Sequence, residues 1–427
     1  MKDDPRSHGL WEQTAPPPPA SHALDGETNV DVVVIGAGFT GLSAALHLAE
    51  GGAKVAVLEA VEIGFGGSGR NVGLVNAGMW VMPDELPAIL GATYGARLLD
   101  LLGNAPRAVF DLIKHHGIAC GAVPNGTLHC AVGAGGLTEL KERARQWQAR
   151  GAPVRLFDAN ETARKIGTTA YAGSLLDERA GTIQPLAYVR GLAHAAVAAG
   201  VTICTSSPVV AADDDGSTWR LSTPRGVAQA PSVIVATNAY TSSVWPALRT
   251  ELIHLPYFNM ATKPLSDSLR RSILPERQGA WDTKEVLSSF RFDDAGRFIF
   301  GSVGALRGSG VPIHRGWGRR AMTKLFPQLK DVAFETEWYG KIGMTVDNLP
   351  RFHRLGRNVV SFSGYNGRGI APGTVFGHCL AALTLGRIGE KDLPLPVTEP
   401  AAAPLRAVKE AYYEVGAQVS HLADARF

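Results

Sequence analysis

The segment "DVVVIGAGFTGLSAALHLAEGGAKVAVLEA", residues 31–60, decides the fold of this chain. Residues 32–35 are a short β-branched run that predicts a buried parallel strand, and residues 40–50 predict a helix directly after a glycine turn. Residues 53–60 predict a second strand. Strand, glycine turn, helix and strand within about thirty residues make one βαβ unit of a dinucleotide-binding fold.

The turn of this unit has the pattern G-x-G-x-x-G, formed by Gly36, Gly38 and Gly41. Gly36 permits the tight turn, Gly38 lets the backbone approach a pyrophosphate, and Gly41 lets helix and strand pack closely. The helix N-terminus then offers free N–H groups to the phosphates. Glu59 ends the second strand, where its carboxylate can accept from ribose hydroxyls and would repel the 2′-phosphate of NADP. FAD and NAD both remain, since both contain adenosine diphosphate.

Three further segments favour FAD over NAD. "GFGGSGRNVGLVNAG" (64–78) offers hydroxyl, N–H and cationic donors to the longer flavin nucleotide. "PSVIVATNAYT" (231–241) predicts a strand that ends in small and polar residues beneath the nucleotide. "SGYNGRGIAPGT" (363–374) predicts a second glycine turn before a helix, whose N-terminus can stabilise negative charge on a reduced flavin. An NAD-dependent dehydrogenase stays open as a different class of enzyme.

Composition excludes several other classes. The chain has 427 residues, with 42 Lys+Arg against 39 Asp+Glu and a net charge of +3. No long basic run appears, which argues against a nucleic-acid partner, whose phosphate contacts need a concentrated basic face. The four cysteines form no CxxC pair, so we expect neither a metal site nor a disulfide framework. A secretory signal and a run of about 18 apolar residues are both absent, which predicts a cytoplasmic protein with peripheral membrane contact left open.

The predicted organisation is a Rossmann-like α/β domain that is interrupted by an α+β domain. Residues 1–29 include four consecutive prolines and predict an extended N-terminal arm. We expect a discontinuous FAD-binding domain from residues 30–100, 165–240 and 341–427. The inserted substrate domain, with a mixed antiparallel sheet, then takes residues 101–164 and 241–340. Asp294 to Gly296 supply a turn between two of its strands.

The motifs, in their order along residues 28–390, resemble those of a known family. "VIGAGFTGLSAALHLAEGG", "GGSGRN", "VIVATNAYT" and "WYGKIGMTVDNLPRF…GYNGRG" are similar to segments of the FAD-dependent amine and amino-acid oxidases. That family includes glycine oxidase, monomeric sarcosine oxidase and D-amino-acid dehydrogenases. "TGLSAALHLAE" with "GGSGRN" resembles the gamma-glutamylputrescine oxidase branch. "LWEQTAPP" and "RNVGLVNAGMW" resemble the L-pipecolate oxidase branch more closely.

The resemblance implies a set of FAD-binding residues. Those on the adenosine diphosphate are Gly36, Gly38, Phe39, Thr40, Gly41, Glu59 and Ala60, with Val209 at the adenine. Those beside the pyrophosphate, ribityl chain and flavin ring are Ser68, Gly69, Arg70, Asn71, Gly73, Leu74, Thr237 and Asn238. Those at the pyrimidine edge of the flavin are Gly364, Asn366, Gly367, Arg368, Gly369 and Ile370.

Two positions depart from the pattern of sarcosine oxidase. Ala371 stands where that relative has a lysine for the substrate carboxylate, and the strand before the last loop offers Met344 and no cysteine for covalent attachment. We therefore expect non-covalent FAD and a carboxylate site built from other residues. Arg307 and Arg368 are the candidates for catalysis and for the carboxylate. Tyr257, Trp338 and Met344 are the candidates for the pocket wall.

The resemblance implies removal of a hydride equivalent from the carbon beside a neutral amine, which gives an imine. The expected substrate is a secondary or cyclic amino acid, with L-pipecolate as the best candidate. Gamma-glutamylputrescine or another amine is the alternative, and a non-catalytic flavoprotein sensor or scaffold is the alternative of another class. The sequence leaves the electron acceptor open between oxygen and a quinone.

Overall fold

The computed structural model describes residues 7–242 and 244–424. The helices are α1 Leu10–Thr14, α2 Phe39–Glu50, α3 Leu86–His115, α4 Gly133–Gln148, α5 Ala159–Ile166, α6 Pro185–Ala198, α7 Pro246–Glu251, α8 Asp267–Ser272, α9 Gly310–Leu325, α10 Ile370–Thr384 and α11 Arg406–Ala423. The strands in the first half are β1 Gly26–Asn29, β2 Val32–Ile35, β3 Val55–Leu58, β4 Leu74–Val75, β5 Thr127–Ala131, β6 Val154–Phe157, β7 Gly173–Asp177, β8 Gly181–Thr182, β9 Thr202–Cys204 and β10 Ala211–Asp214. The remaining strands are β11 Trp219–Ser222, β12 Gly226–Ala230, β13 Ser232–Val235, β14 Ile253–Pro264, β15 Gly279–Asp282, β16 Ser288–Phe292, β17 Arg297–Val303, β18 Phe334–Met344, β19 Arg351–Gly356, β20 Val359–Ser363 and β21 Val397–Thr398.

The predicted Rossmann-like layer is a seven-stranded sheet in the order β21-β19-β20-β13-β2-β3-β9. Its strands β20, β13, β2, β3 and β9 are parallel neighbours. Helices α2, α6 and α10 cover one face, while the other packs on a four-stranded sheet in the order β1-β12-β11-β10. Because both faces are covered, every residue of β2 and β3 is buried, which explains their unbroken apolar runs.

The inserted domain is built on an eight-stranded sheet in the order β18-β14-β17-β16-β15-β5-β7-β6. Its neighbours are antiparallel except for the pair β15 and β5. The predicted turn joins β16 to β17, and Gly296 there has a φ of +79°. A cluster of buried aromatic rings, which includes Phe290, Phe298 and Phe300, packs this sheet against α9. The mixed α/β and α+β architecture predicted from the sequence is confirmed.

Two segments lie apart from the sheet to which the sequence assigned them. Residues 173–177 pair with β5 and β6 in the eight-stranded sheet, although they fall within 165–240. Helix α11 packs on β14 and α9, although it falls within 341–427. Residues 173–177 lie near the start of their predicted segment and lie between β5 and β6 in the sheet, whereas α11 comes at the end of its segment and returns to the eight-stranded sheet. We propose that both segments belong with the substrate domain.

The N-terminal arm is extended over its prolines but not over its whole length. Residues 1–6 lie outside the described residues, and residues 10–14 form the short helix α1. Trp11 on that helix is fully buried, and its Nε1 donates to the Asn71 carbonyl oxygen at 2.9 Å. The arm therefore packs behind the loop that the sequence predicts to face the flavin.

Two buried histidines fix α11 to the eight-stranded sheet. His314 Nδ1 and His421 Nδ1 share a hydrogen bond of 2.8 Å, and His421 Nε2 lies 3.2 Å from Ser302 Oγ. The His421 ring stacks on Trp317 at 3.9 Å between centroids. Burial lowers the pKa of His314 to about 4 and the pKa of His421 to about 3, so both rings are neutral in the folded chain at pH 7.

This pair predicts a loss of stability in mild acid. Free histidine has a pKa of about 6.5, so the unfolded chain binds more protons than the folded chain between pH ~6.5 and ~4. The stability conferred by the neutral pair is present above that window and falls as the pH drops through it. At pH 5 each histidine should lower the free energy of unfolding by on the order of 2 kcal/mol. Urea unfolding at pH 7 and pH 5 checks this, because His421→Gln should lose less stability between the two than the wild type. Equal losses would contradict it.

Within residues 7–242 and 244–424, no helix is long and apolar enough to cross a bilayer.

Candidate active site

A continuous cavity of about 1220 Å³ runs from the carboxyl ends of β2 and β3 to the eight-stranded sheet and α11. This volume exceeds the roughly 300–1,000 Å³ of sites for small ligands. The carboxyl edge of a parallel sheet is the usual place for nucleotide sites in such folds. The cavity therefore has room for a dinucleotide and a small substrate together.

The first wall of the cavity is the glycine turn after β2. Gly36 has a φ of +104°, and a Cβ there would lie 3.0 Å from the Ala236 carbonyl oxygen. A Cβ on Gly41 would collide with the Gly36 carbonyl oxygen, so the start of α2 lies against the turn only because Gly41 lacks one. Gly38 is the N-cap of α2, and its side-chain position faces Ser68. The turn thus presents bare backbone and a helix N-terminus to the cavity.

Glu59 braces this turn from the end of β3. Its Oε2 accepts from the Ala37 N–H at 2.8 Å and its Oε1 accepts from the Val61 N–H at 3.0 Å. Burial raises the pKa of Glu59, while the backbone N–H groups that it accepts from lower it. The side chain still borders the cavity. Glu59 holds the turn in shape, and a contact to a ribose remains our proposal.

The loop of residues 66–71 lies directly against the first turn. Ser68 Oγ accepts from the Phe39 N–H at 3.0 Å, which joins the two segments. The Asn71 side chain donates to the carbonyl oxygens of Gly67 and Ser68 at 2.9 and 3.1 Å and accepts from the Gly73 N–H at 2.9 Å. The loop is therefore rigid and contributes backbone to the cavity wall.

The glycine turn before α10 arrives at the same cavity from the far end of the chain. Tyr365 Oη lies 2.7 Å from Thr40 Oγ1, across 325 positions of sequence. Asn366 Oδ1 accepts from the Thr345 N–H at 2.8 Å, and the Asn366 carbonyl oxygen accepts from Trp80 Nε1 at 2.6 Å. The turn therefore places the N-terminus of α10 at the cavity, beside the first turn and opposite the eight-stranded sheet.

Arg368 is a partly buried cation in this turn. Its Nη1 donates to the Ala77 carbonyl oxygen at 2.8 Å, and the guanidinium lies 4.8 Å from the Trp80 ring centroid and 5.7 Å from that of Trp281. Burial, followed by the charge of Arg143, lowers the pKa of Arg368 to about 9. Within the part of the chain that the structure describes, Arg368 forms no ion pair, and its Nε has no hydrogen-bond partner. A desolvated cation of this kind favours an anion in the cavity.

The opposite wall comes from the eight-stranded sheet. Tyr257 Oη lies 2.7 Å from Ser289 Oγ, and burial raises the pKa of Tyr257, so the phenol stays neutral. Trp281 lines the same wall, and its Nε1 has no hydrogen-bond partner among the described residues. Helix α11 adds Tyr412 and Tyr413 at the cavity. This end is rich in aromatic rings, and the charged residues Lys284, Glu285 and Asp424 line it as well.

Most of the residues predicted for the cofactor and the substrate line the cavity. They are Gly36, Gly38, Phe39, Thr40, Glu59, Ala60, Ser68, Arg70, Asn71, Leu74, Val209, Thr237, Asn238, Tyr257, Met344, Asn366, Gly367, Arg368, Gly369 and Ile370. Five others lie behind its wall, namely Gly41, Gly69, Gly73, Trp338 and Gly364. Trp338 is buried and its Nε1 donates to the Arg70 carbonyl oxygen at 3.0 Å, so it supports the wall.

Arg307 does not lie where the sequence places it. It is outside the cavity lining, and its Nε and Nη2 donate to the Glu414 carboxylate at 2.9 and 2.6 Å. The expectation that Arg307 faces the flavin is therefore corrected. Arg307 follows β17, which belongs to the sheet at the cavity, but its ion pair with Glu414 on α11 holds the guanidinium at the surface.

Sequence reasoning missed six cavity residues of chemical interest, which are Trp80, Trp281, Lys284, Lys341, Tyr412 and Tyr413. The two tryptophans could have been expected near a site from the sequence, since a buried tryptophan usually needs a hydrogen-bond partner or a ligand for its ring N–H. The tyrosines gave no such signal, because α11 reaches the cavity only through tertiary packing.

One cluster of metal-ligand types lies elsewhere. Glu50, His115 and His116 bring one ligand atom each within 4.8 Å of one another at the surface. None of the three lines the cavity. The two histidines lie at the C-terminus of α3, His115 as its last residue and His116 as its C-cap.

Comparisons with known proteins agree with this geometry. The model of the family described as "DAO: FAD dependent oxidoreductase" matches residues 31–383. The gamma-glutamylputrescine oxidoreductase of Escherichia coli K12 is 32% identical over 404 residues, covering 92% of this chain and 94% of that protein. Glycine oxidase from Geobacillus kaustophilus has the same fold, with a TM-score of 0.68, 21% identity and coverage of 84% of this chain and 95% of that one. L-proline dehydrogenase from P. horikoshii gives a TM-score of 0.69, 17% identity and coverage of 86% and 96%.

The cavity fits FAD on three observations. Cβ atoms on Gly36 or Gly38 would lie at 3.0 Å or less from atoms of the wall, so bare backbone is required where a pyrophosphate would lie. A helix N-terminus reaches the cavity at each of the two glycine turns. The cavity extends beyond the first glycine turn to an aromatic wall. A flavin ring needs this additional length, whereas adenosine diphosphate alone does not.

Proposed function

The chain belongs to the DAO family of FAD-dependent oxidoreductases, and on that premise we propose that it oxidises the C–N bond of a cyclic secondary amino acid, with L-pipecolate as the best candidate. Oxidation of an amine or amino acid with FAD is the activity of the family and of its relatives. The choice of a carboxylate-bearing, cyclic substrate is the part that we propose.

Arg368 is the observation that carries the proposal. It is a partly buried cation in the cavity wall, flanked by the rings of Trp80 and Trp281. A substrate carboxylate would supply the charged partner that the described residues do not. The flat aromatic walls suit the ring of a cyclic amino acid. A simple diamine offers no group for Arg368.

The bound FAD supplies the two-electron acceptor for the hydride equivalent that leaves the carbon beside the nitrogen. This chain's residues orient the substrate and set its protonation. Arg368 holds the carboxylate, and the aromatic walls exclude water from the C–N bond. The nearby cation Arg368 disfavours a protonated ammonium, so the amine binds in the neutral form that can be oxidised. The Tyr257 phenol, neutral through burial, can hydrogen-bond to that amine.

Gamma-glutamylputrescine is the second candidate, because the 32%-identical relative is named for it. Its carboxylate lies at the glutamyl end, remote from the terminal amine, so it would not reach Arg368 while that amine is oxidised. Its longer tail would need the outer cavity, where Glu285 and Asp424 contribute acidic groups. The Glu285 carboxylate favours a cationic tail, which a small cyclic amino acid does not have, whereas Asp424 is already paired with Lys284.

We also propose that FAD is held without a covalent bond in a cytoplasmic enzyme. No cysteine or histidine belongs to the cavity lining of the described residues, so the usual attachment groups are absent there. All four cysteines are free, and three of them are buried. Trichloroacetic acid precipitation should leave the yellow flavin in the supernatant, and a yellow pellet would contradict non-covalent binding.

Anaerobic mixing of the FAD-loaded enzyme with a substrate panel tests the function. L-pipecolate should bleach the flavin absorbance near about 450 nm faster than D-pipecolate, L-proline, gamma-glutamylputrescine or putrescine. Fastest bleaching by gamma-glutamylputrescine would select the second candidate. No bleaching by any member would favour the non-catalytic flavoprotein. Repeating the assay with oxygen or a quinone analogue as the acceptor then identifies the electron acceptor.

A further inference from the structure

Helix α11 is amphipathic, but it turns its polar side toward the protein and its apolar side toward solvent. The side that packs on the protein carries polar groups, because Glu410 accepts from Arg249 Nη2 at 2.8 Å and Glu414 binds Arg307. His421 on the same side is bonded to His314. The opposite side, continued by the N-cap residue Leu405, carries apolar residues that are between 41% and 72% exposed, namely Leu405, Val408, Tyr412, Val415, Val419 and Leu422. A surface helix normally turns its apolar residues inward.

The six residues, which we call the α11 stripe, recur in a regular pattern. They follow one another at steps of 3, 4, 3, 4 and 3 residues. This is the a/d spacing of a coiled coil, which gives a narrow apolar seam along one helix. A seam of that width matches one partner helix. It is narrower than the broad apolar face that a helix buries against a domain core.

The exposed area of the α11 stripe is large for a monomer. From the exposed fractions, the stripe presents roughly 600 Å² of apolar side chain, the upper end of the largest patches found on monomeric proteins. Two stripes in contact would bury up to about 1,200 Å², which reaches the lower end of the range for specific interfaces. A second copy of this helix thus supplies the area that a stable dimer needs.

The charges around the α11 stripe favour a second copy over a bilayer. Membrane-surface helices carry free Lys and Arg beside their apolar face, with Trp or Phe among the apolar residues. Here Arg406 pairs with Glu410, and Lys284 pairs with Asp424. The positions flanking the seam are Lys409, Ala411, Gly416 and Gln418, so small side chains allow close approach and one charge alone lies at the rim.

We propose that the α11 stripe is a homodimer interface, in which α11 of one copy packs along α11 of a second copy of this chain. The dimer is isologous, since the same stripe serves both partners. Tyr412 also lines the cavity, so the proposed interface borders the cavity. The proposal does not depend on which substrate the enzyme oxidises.

Sedimentation velocity of the FAD-loaded full chain tests the interface. The wild type should sediment as a particle of twice 45.2 kDa at micromolar concentration. The double variant Val415→Glu/Val419→Glu should sediment at 45.2 kDa, with dimer affinity reduced roughly 100-fold or more, because two carboxylates would be buried in an apolar seam. Val197→Glu changes a valine that is 40% exposed on α6 and should sediment as the wild type. Flavin content should be equal in all three.

A cross-linking experiment tests the same interface without any variant. An amine-reactive cross-linker applied to a mixture of ¹⁴N- and ¹⁵N-labelled chains should join Lys409 of one copy to Lys409 of the other. A monomeric wild type, or a double variant that dimerises as the wild type does, would overturn the proposal. A monomer that floats with anionic vesicles, and loses flotation in the double variant, would also overturn it and assign the stripe to a lipid surface.

Discussion

Gly38→Val is expected to leave the chain folded but unable to retain FAD. A Cβ at this position would lie 2.9 Å from Ser68 Oγ, the atom that accepts from the Phe39 N–H. The two further methyl groups of valine would occupy the path of the pyrophosphate and separate the first turn from the loop of residues 66–71. Loss of several phosphate contacts should weaken FAD binding by at least about 100-fold, on the order of 3 kcal/mol.

The flavin-to-protein absorbance ratio after purification measures this effect. Gly135→Val is the matched control, because a Cβ at Gly135, in the first turn of α4, meets no atom within 4 Å. The control should keep its flavin, and circular dichroism should show both variants folded. Normal flavin content in Gly38→Val would contradict the assignment of the turn to the cofactor.

Arg368→Ala is expected to raise the KM for the amino acid far more than it lowers flavin content. The substitution removes a charge-assisted contact with the substrate carboxylate, which should cost about 1.5–3 kcal/mol, or roughly 10- to 150-fold in kcat/KM. It leaves the backbone of the turn in place, so the cofactor contacts of Gly367 and Gly369 remain. Steady-state kinetics on the FAD-saturated variant check the result.

Arg368→Lys is the matched control for that variant. Lysine keeps the charge but not the planar two-donor geometry, so it should recover part of the lost kcat/KM. Amines without a carboxylate should react equally with wild type and both variants. If Arg368→Ala keeps wild-type kinetics with L-pipecolate, the carboxylate site lies elsewhere.

The sequence predicts the local parts of this molecule well, because their signals are local. The apolar runs of β2 and β3 follow from burial on both faces, and the pattern of Gly36, Gly38 and Gly41 follows from backbone contacts within a few residues. The glycine turn before α10 is likewise predicted from a local pattern of residues. Its meeting with the first turn, through Tyr365 and Thr40, could be expected only from the resemblance to a family.

The parts that sequence reasoning missed depend on contacts between distant segments. Arg307 is paired with Glu414, which lies 107 positions away, and neither residue shows that pairing in its own neighbourhood. The same holds for α11, which returns to the eight-stranded sheet and brings Tyr412 to the cavity. Trp11 is similar, since its burial against Asn71 turns an apparently free arm into part of the core.

Titration of the apoprotein with FAD tests most directly whether the two glycine turns hold one flavin dinucleotide. Flavin fluorescence and absorbance should show one FAD bound per chain, with FMN binding far more weakly because it lacks the adenosine diphosphate that the first turn and Glu59 would hold. NAD should not displace the bound flavin. Equal binding of FMN, displacement by NAD, or no saturable binding of FAD would contradict a single dinucleotide site formed by both turns.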